Sequence, residues 1–462
     1  MAEAADGGAI GRGRRLTVVS GDSHAGPRLV EDLRSYCPRE YLDDYDGYIA
    51  ANADSVVGRT GAIDATGEED PLSGRSTYAM EAAITRRFLN RNTAGHYDVD
   101  TRLREMDWDG VAAEVIFHGS QNAELFPFSG IREWYLPPNT KKRMANELVT
   151  VGYRMYNHWL ADFCSAAPER LIGLAYLPMW DVDLAVKEVT WAAEHGLRGV
   201  NFPSPREGIE EYDHPSWEPF WSACEDLKMN LVTHGGLPGH SVFGPQAMAT
   251  FRLEHGGFMG RRGMCRLILG GVFERHPGLK LILTELSRGW WRWQMRELDF
   301  VYSSPSEELH AQVPKRPGEY MTTNVFIGES FMPPSAVHEA IEDGYADQVI
   351  WGRDYPHGEG TYKYPEADGE ESTSRHYLRW AFQGVPLDVA TKMLSENAIY
   401  AYDLDRTSLE SVASRIGPTA DEVVAPLGRV PTEWANELVD TQTGEVAEGF
   451  VPVKARTRAW AR

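Results

Sequence analysis

Several ionisable residues in this sequence of 462 residues stand directly after short apolar runs. They are Asp22, His24, His234, Glu285 and Asp354. Two imidazoles with two or three carboxylates make a competent ligand set for zinc, manganese, cobalt or iron(II). A divalent ion held there would lower the pKa of a bound water or polarise a substrate oxygen. The residue types therefore predict a metal-dependent site, provided that the chain brings the set together.

Each of these residues also has a purely structural interpretation. An Asp at a strand end often caps the following helix, and a single buried His is usually a hydrogen-bonded core residue. Residues i and i+2 on a strand share a face, so Asp22 and His24 are expected to point the same way. The joint placement of the set after separate apolar runs favours the metal site over these alternatives.

The apolar runs that precede these residues read as strands. Their near-continuous apolar character is typical of strands buried on both faces of a parallel sheet. The eight candidate strands are Leu16–Ser20, Ala113–Phe117, Ile172–Leu177, Arg198–Phe202, Asn230–Thr233, Leu279–Thr284, Asn324–Ile327 and Gln348–Trp351. Polar side chains at the carboxyl ends of such strands would meet in one bowl if the sheet closes into a barrel.

Helical patterns fall between the strands and complete this picture. They cover Lys141–Ala166, Asp181–His195, Pro215–Leu227, Met264–His276, Ser287–Val301 and Pro334–Asp343. Eight strands that alternate with helices predict an α/β fold of the (β/α)8 barrel type. A doubly wound open sheet is the main competitor, but no Gly-rich dinucleotide fingerprint or P-loop follows the first strand.

Three regions lie outside the repeat. We expect a flexible N-terminus at 1–15, a barrel at 16–405 that carries an insertion over about 30–100, and a C-terminal extension at 406–462. The polar, Gly-rich stretch Asn52–Arg75 inside the insertion is typical of a lid or a partly disordered loop. The extension is acidic, polar and interrupted by prolines, so we expect it to wrap the barrel or a partner subunit.

Composition excludes several functional classes. The formal net charge of −22 would repel phosphate backbones and anionic lipid surfaces, so neither nucleic acid nor a membrane is an expected partner. No apolar run is long enough for a membrane span or a signal-peptide core. The four cysteines are widely separated and form no CxxC pair, which favours a reduced, cytoplasmic protein.

The sequence resembles a known family at three places. Asp22-Ser23-His24, Thr233-His234-Gly235-Gly236 and Gly352-Arg353-Asp354-Tyr355-Pro356-His357 are similar to motifs of amidohydrolase family 2, the branch that includes aminocarboxymuconate-semialdehyde decarboxylase. Weaker matches are Arg102–Asp107, Tyr156–Leu160 and Pro168–Arg170. The resemblance covers roughly Leu16 to Tyr402. It implies a distorted TIM barrel, one divalent ion per chain and an oligomer that is commonly a dimer.

Carried over to this chain, the resemblance implies that Asp22, His24, His234 and Asp354 are the metal ligands. Among the divalent ions, zinc is our first expectation, with manganese, cobalt or iron as alternatives. Many family members have His-x-His at the first strand, where this chain has Asp22. The decarboxylases of the family carry a His at the end of the sixth strand, where this chain has Glu285.

Charge helps to place Glu285. A divalent ion with Asp22 and Asp354 is already neutral, so a third anionic ligand would weaken its Lewis acidity and repel an anionic substrate. We therefore expect Glu285 just outside the ligand shell, where burial would raise its pKa and suit it to acid–base work. The alternative is a structural ion pair with Arg288 or Arg353.

The residues predict a metal-dependent hydrolase of a small organic substrate, with Glu285 or Asp354 relaying protons to and from a metal-activated water. The alternative is a metal-dependent non-oxidative decarboxylase of an aromatic or unsaturated carboxylic acid. A barrel that only binds a partner is a third hypothesis, against which the full ligand set argues. The expected substrate contacts are His118, Arg198 and His357. We expect a homodimer or a higher homo-oligomer.

Overall fold

Short parallel strands form one sheet that curls into a barrel in this computed structural model. The strands are β1 Val19–Ser20, β2 His24–Ala25, β3 Ala113–His118, β4 Leu171–Ala175, β5 Gly199–Asn201, β6 Asn230–His234, β7 Leu281–Thr284, β8 Val325–Ser330 and β9 Val349–Gly352. The structure describes residues 13–62, 85–122, 124–128, 146–205, 208–235, 253–254, 256–286, 288–440 and 444–449.

The strand order confirms the predicted barrel. β1 pairs with β3, and each later strand pairs with the next through β9, always in parallel. β2 also pairs with β3, so β1 and β2 together fill the first of eight positions. Individual hydrogen bonds close the circle between the first and last strands, a line that we call the seam. Here the amide of Gly21 donates to Trp351 O over 2.7 Å, and that of His24 to Tyr355 O over 2.6 Å.

Helices cover the outside of the barrel. They are α1 Leu42–Ala62, α2 Val99–Asp109, α3 Asn146–Ser165, α4 Val182–Glu194, α5 Glu218–Asp226, α6 Phe258–Leu269, α7 Val272–Arg275, α8 Trp291–Tyr302, α9 Glu307–Gln312, α10 Pro317–Asn324, α11 Pro334–Glu342, α12 Thr373–Phe382, α13 Leu387–Thr391, α14 Asn397–Tyr402, α15 Arg406–Ile416, α16 Ala420–Val424 and α17 Thr432–Ala435. α4 begins as predicted, because the Asp181 carboxylate caps it by accepting from the amide of Leu184 over 3.0 Å.

Two element boundaries differ from the sequence prediction for identifiable reasons. The segment predicted as one helix over Met264–His276 starts earlier, at Phe258, and breaks where Gly271 takes a positive φ of 68°. That left-handed conformation suits Gly and ends α6 before α7 begins. The first strand was predicted as Leu16–Ser20, but only its last two residues pair, because the amide of Leu16 donates to Pro418 O over 2.7 Å instead.

The insertion and the extension contain regular structure where they are described. α1 runs into the stretch predicted as a lid and ends at Ala62; residues 63–84 lie outside the described residues, as do 1–12 of the predicted flexible N-terminus. Leu409 and Val412 of α15 pack with Val19 and Ile350 of the barrel interior, so the extension helps to close one end of the barrel. Within the described chain, no helix is long and apolar enough to cross a membrane.

Candidate metal-binding active site

Four of the five predicted residues converge where the strands end. His24 Nε2 lies 3.3 Å from Asp22 Oδ1 and 3.1 Å from Asp354 Oδ1. His234 Nε2 lies 3.7 Å from the same Asp22 oxygen, so the three strand positions that carry these residues meet at one point. The carboxyl end of a barrel is where such enzymes place their chemistry.

Backbone geometry directs two of the carboxylates into the bowl. Glu285, directly after β7, has a φ of 58°, and Asp354, after β9, has a φ of 48°. Residues other than Gly rarely adopt this left-handed backbone conformation. Those that are held in it occur most often at functional sites. The amide of Glu285 donates to Gly328 O over 3.0 Å, which ties this turn to the neighbouring strand β8.

The ring of His24 is oriented as a metal-binding imidazole would be. Its Nδ1 lies 3.0 Å from the carbonyl oxygen of His118, so Nδ1 carries the hydrogen and donates it. The other nitrogen, Nε2, then directs its lone pair at the oxygens of Asp22 and Asp354. Three electron pairs cannot face one another at this range unless a proton or a metal ion lies between them.

The atoms that face this point are otherwise unsatisfied. Apart from their contacts with one another and with His357, Asp22 Oδ1, His24 Nε2 and both oxygens of Asp354 are buried and have no hydrogen-bond partner among the described residues. Buried polar atoms are normally paired, so an unpaired group of them needs a cause. The nearest ligand atoms of Asp22, His24 and His234 lie within 4.8 Å of one another. Imidazole nitrogens and carboxylate oxygens suit a first-row divalent metal, and the set fits one.

The charges at the centre reinforce this interpretation. Burial raises the pKa of Asp22, but the charge of His234 and the hydrogen bond and charge of His24 outweigh it and lower that pKa to about 2. Burial lowers the pKa of His24, but Asp22 and Asp354 outweigh burial and hold it well above its usual range. A positive charge between the two carboxylates, either a proton or a metal ion, is thus needed to stabilise their ionised forms.

Glu285 lies beside this group. Its Oε2 is 3.1 Å from His234 Nε2, and 18 % of its side chain is exposed to solvent. Burial raises the pKa of Glu285 well above its usual range, and the charges of Asp354 and Asp22 raise it further. The structure assigns other partners to the arginines considered for it. Arg288 pairs with Glu329 at 2.7 Å, and Arg353 with Glu114 at 2.6 Å.

Of the three predicted substrate contacts, two are near the centre. His357 Nδ1 lies 2.9 Å from Asp354 Oδ1, and its ring stacks on that of His24 with centroids 3.9 Å apart. His118 ends β3, and its ring packs edge-on against Phe126. Burial and, to a smaller extent, the charge of His24 lower the pKa of His118 to about 3.

The structure does not bring the third predicted contact, Arg198, to the bowl. It stands immediately before β5, so it lies at the amino end of the barrel, opposite the carboxyl ends where the cluster forms. Its amide donates to Gly173 O over 3.1 Å, and its charge acts on Asp403. The prediction treated the start and the end of a short strand as equivalent, although they face opposite ends of the barrel.

The sequence analysis missed residues that support the cluster. The hydroxyl of Ser330, the last residue of β8, donates to Asp22 Oδ2. Glu359, whose charge adds to burial in raising the pKa of Glu285, pairs with Arg87 at 3.4 Å and accepts a 2.9 Å hydrogen bond from Gln121. A serine at a strand end carries little signal of its own. The Glu359 carboxylate follows His357 closely, and that spacing could have drawn attention to it.

Curated relatives of this chain are decarboxylases. Over 278 residues, the chain is 25 % identical to gamma-resorcylate decarboxylase from Rhizobium sp. (strain MTP-10005), covering 56 % of this chain and 76 % of the relative. Over 283 residues, it is 25 % identical to 2-amino-3-carboxymuconate-6-semialdehyde decarboxylase from Dictyostelium discoideum, covering 59 % and 70 %. These findings contradict the prediction of a hydrolase and agree with the alternative that accompanied it.

A solved structure shares the fold. The 5-carboxyvanillate decarboxylase from Novosphingobium aromaticivorans DSM 12444, complexed with manganese and 4-hydroxy-3-methoxy-5-nitrobenzoic acid, aligns with a TM-score of 0.53 at 18 % identity. The alignment covers 86 % of this chain and 98 % of the other. That protein contains manganese, which agrees with a divalent ion at such a barrel without specifying zinc.

A family comparison agrees with the motifs at the strand ends. The model of the amidohydrolase family matches residues 143–404, which is more than half of the chain. The matched region includes β4 to β9, and with them the strand ends that carry His234, Glu285 and Asp354. The resemblance noted in the sequence is therefore confirmed, and this enzyme belongs to the amidohydrolase family.

Proposed function

We propose that this protein is a metal-dependent, non-oxidative decarboxylase of an aromatic or unsaturated carboxylic acid. The observation that carries the proposal is the activity named for the curated relatives, one acting on gamma-resorcylate and another on 2-amino-3-carboxymuconate-6-semialdehyde. Both names describe a carboxylate attached to an unsaturated carbon. The geometry of the bowl supports the same chemistry from this chain's own residues.

Asp22, His24, His234 and Asp354 would hold the ion. When bound, a divalent ion supplies Lewis acidity, which orients substrate oxygens and stabilises the negative charge that develops on them. The two aspartates neutralise its charge. If Glu285 is protonated, the centre as a whole is uncharged and accepts an anionic carboxylic acid without repulsion.

Glu285 would supply the proton that decarboxylation requires. The proton adds to the carbon that carries the carboxylate, the bond between that carbon and the carboxylate breaks, and its electron pair returns to the ring or diene. Carbon dioxide leaves, and Glu285 regains a proton from water. The raised pKa of Glu285 fits a proton donor near neutral pH. Its Oε2 lies 3.1 Å from His234 Nε2, so the carboxyl group would stand beside the ion that His234 binds.

Neutral groups would line the entrance for the organic part of the substrate. His118 is uncharged at neutral pH because burial holds its pKa at about 3, and its neighbours Phe126 and Tyr156 are aromatic. An apolar wall with few polar groups suits a planar substrate. His357 lies on the other side of His24 and would contact the polar end of the substrate.

The identity of the ion belongs to the proposal. Zinc was the first expectation, but manganese accepts the same two imidazoles and two carboxylates, and a solved decarboxylase of the same fold contains it. Manganese is therefore the first ion to test. A small organic acid as substrate, a homodimeric assembly and a cytoplasmic location complete the proposal.

Release of carbon dioxide tests the function directly. The purified enzyme, loaded with manganese and separately with zinc, is incubated with hydroxybenzoic acids and with carboxylated dienes while carbon dioxide is measured. We expect metal-dependent release from at least one acid that carries an oxygen next to its carboxylate. Benzoic acid, which lacks that neighbouring oxygen, is the matched control. No release from any acid, with metal bound at full occupancy, would refute the proposal.

A further inference from the structure

The seam between the first and last strands separates the candidate ligands into two groups. Asp22 and His24 belong to the first position of the barrel, and Asp354 belongs to the last. Everywhere else, neighbouring strands are joined by regular ladders. At the seam, individual backbone hydrogen bonds and a single parallel bridge between Ser23 and Tyr355 join the strands, so side-chain contacts also help to fix the spacing of the two groups.

Four fully buried charged residues lie beside this seam. They are Arg102, Asp109, Glu114 and Arg353, each with no exposed side-chain surface. Arg102 Nε donates to Glu114 Oε1, while Arg353 Nη2 donates to Glu114 Oε2 over 2.6 Å. Arg353 also donates to Asp109. Glu114, which stands on β3, is therefore the one member of the four that is bonded to both arginines.

Each arginine reaches one side of the metal centre. Arg102 Nη1 donates to the carbonyl oxygen of His24 over 2.8 Å, and its Nη2 donates to Ser23 Oγ over 3.1 Å. Arg353 directly precedes Asp354 in the chain, and its amide donates to Ser20 Oγ over 2.9 Å. The path from His24 through the buried charges to Asp354 is thus continuous.

Tyr355 adds a second link between the same two arginines. Its ring lies between them, with the guanidinium carbon of Arg102 4.0 Å and that of Arg353 4.4 Å from the ring centroid. Such cation–π contacts strengthen when water is excluded, as it is here. The Tyr355 carbonyl oxygen also accepts the hydrogen bond from the amide of His24.

The charge of Glu114 is needed to balance the charges of the two buried arginines. Two guanidinium groups and two carboxylates cancel, and a buried ionic group is tolerated only while its charges stay paired. Burial raises the pKa of Glu114, but the neighbouring Arg102 and Arg353 outweigh burial and lower it, so the carboxylate stays ionised. Without that charge the two arginines would repel each other, and the residues they support would move apart.

We propose that Glu114 is a positioning residue of the metal centre: through Arg102 and Arg353 it fixes the separation between His24 and Asp354. The inference rests on the metal site in the proposed function. Glu114 touches neither candidate ligand and acts through its two arginines. It sets the spacing of the ligands across the seam, where the first and last strands meet.

Manganese binding to the purified apoenzyme tests this inference. Free manganese is followed by its electron paramagnetic resonance signal during titration of the wild type, Arg102→Lys and Glu114→Gln. Lys keeps the charge of Arg102 but loses the fork that reaches Ser23 and His24. We expect both variants to weaken manganese binding by about 10–100-fold, the usual cost of removing a group that orients a ligand. The signal of the bound ion should also change shape, because its ligand geometry changes.

Arg170→Lys is the matched control. Arg170 is also a buried arginine that holds backbone, because it donates to Ala112 O over 2.9 Å and to Val111 O over 3.1 Å just before β3, away from the strand ends that carry the candidate ligands. We expect it to lower the melting temperature and leave manganese affinity unchanged. Glu114→Asp keeps the charge but cannot span both arginines, and it replaces Glu114→Gln if that variant does not fold.

The outcomes separate this inference from the proposed function. Wild-type manganese affinity in folded Arg102→Lys and Glu114 variants would overturn the inference, and so would an equal loss in Arg170→Lys. A wild type that binds manganese but releases no carbon dioxide refutes the decarboxylase alone. A wild type that binds no manganese refutes the metal site and the positioning role together.

Discussion

The amide of Asp354 donates a hydrogen bond to the carbonyl oxygen of Asp22 over 3.0 Å, across the seam of the barrel. This contact brings two buried carboxylates, far apart in the sequence, to either side of His24. Like charges at this range need a cation between them. The arrangement is the main structural reason to expect a metal ion at the centre.

Metal content is the first test of that expectation. Purified wild-type protein should contain about one first-row divalent ion per chain, and the double variant His24→Ala/His234→Ala should contain none, because half of the ligands are lost. Elemental analysis after dialysis measures both. The double variant His195→Ala/His214→Ala removes two exposed imidazoles and should keep its metal. Stoichiometric metal in the first variant would disprove the assignment.

Ser330→Ala tests how Asp22 is held. Its hydroxyl donates to Asp22 Oδ2, so its loss frees the carboxylate to rotate away from the centre. We expect metal affinity to fall by about tenfold, at the lower end of what such supporting hydrogen bonds are worth. Tyr45→Phe is the control, since it removes another buried hydroxyl, bonded to Leu29 O over 2.9 Å. Equal affinities in the two variants would contradict the role of Ser330.

Glu285→Gln separates a proton donor from a ligand. The amide has the shape of a protonated carboxyl group but has no proton to give. If Glu285 donates the proton, metal content stays unchanged and kcat falls by about 10²–10⁴-fold, the usual contribution of such a group. If Glu285 binds the ion, metal affinity falls with the rate. Metal titration and turnover on the same preparation distinguish the two, and near-normal turnover would exclude both roles.

The buried His96 makes stability depend on pH. Burial, followed by the charge of Arg102, lowers the pKa of His96 from 6.5 to about 3, so the imidazole is neutral in the folded protein. Between these values the unfolded chain binds a proton that the folded protein does not, and the free energy of unfolding falls as the pH is lowered. His96→Gln should reduce this slope by up to about 1.4 kcal/mol per pH unit.

Denaturant unfolding at pH 7, 6 and 5 measures the slope for His96→Gln and the wild type. Gln retains a donor for the carbonyl oxygen of Asn90, which lies 3.0 Å from His96 Nε2. The same substitution at the exposed His310 controls for the loss of an imidazole from the surface. An unchanged slope in His96→Gln would show that His96 is protonated in the folded protein.

Periodicity in the sequence was enough to predict the barrel, because a strand buried on both faces leaves a continuous apolar run. For this reason the run predicted as Leu279–Thr284 contains β7, Leu281–Thr284, and ends at the same residue. The first strand was harder, since it is split into β1 and β2 around Gly21. A Cβ at Gly21 would lie 2.7 Å from Ile350 Cγ2, and no local pattern reveals this long-range contact.

The candidate ligands were predictable for a different reason. An ionisable residue directly after a buried strand has to lie at one end of the barrel, and His234 and Asp354 follow that rule. Glu114 breaks the apolar pattern of its strand, which was a signal that the sequence analysis did not use. Arg102 is 12 positions away, but Arg353 is 239 positions away, so only the folded chain reveals that their charges cancel.

The choice between hydrolysis and decarboxylation was decided incorrectly from one residue. Glu285 stands where the decarboxylases of the family have a His, and that difference was taken to favour hydrolysis. A single position is weak support, because burial and the charges of Asp354 and Asp22 raise the pKa of Glu285 and so favour the protonated form of that carboxyl group. A Glu and a His can therefore both serve as the proton donor at this position.

The seam has a consequence for how the chain folds and keeps its shape. Ser20 and Arg353 meet across it, although 333 positions separate them in the sequence. An ion shared by Asp22 and Asp354 closes that loop in the same way as a disulfide, and closing so long a loop removes much of the freedom of the unfolded chain. The ion would then stabilise the closed barrel as a whole, and removal of the metal would cause local unfolding first at the seam.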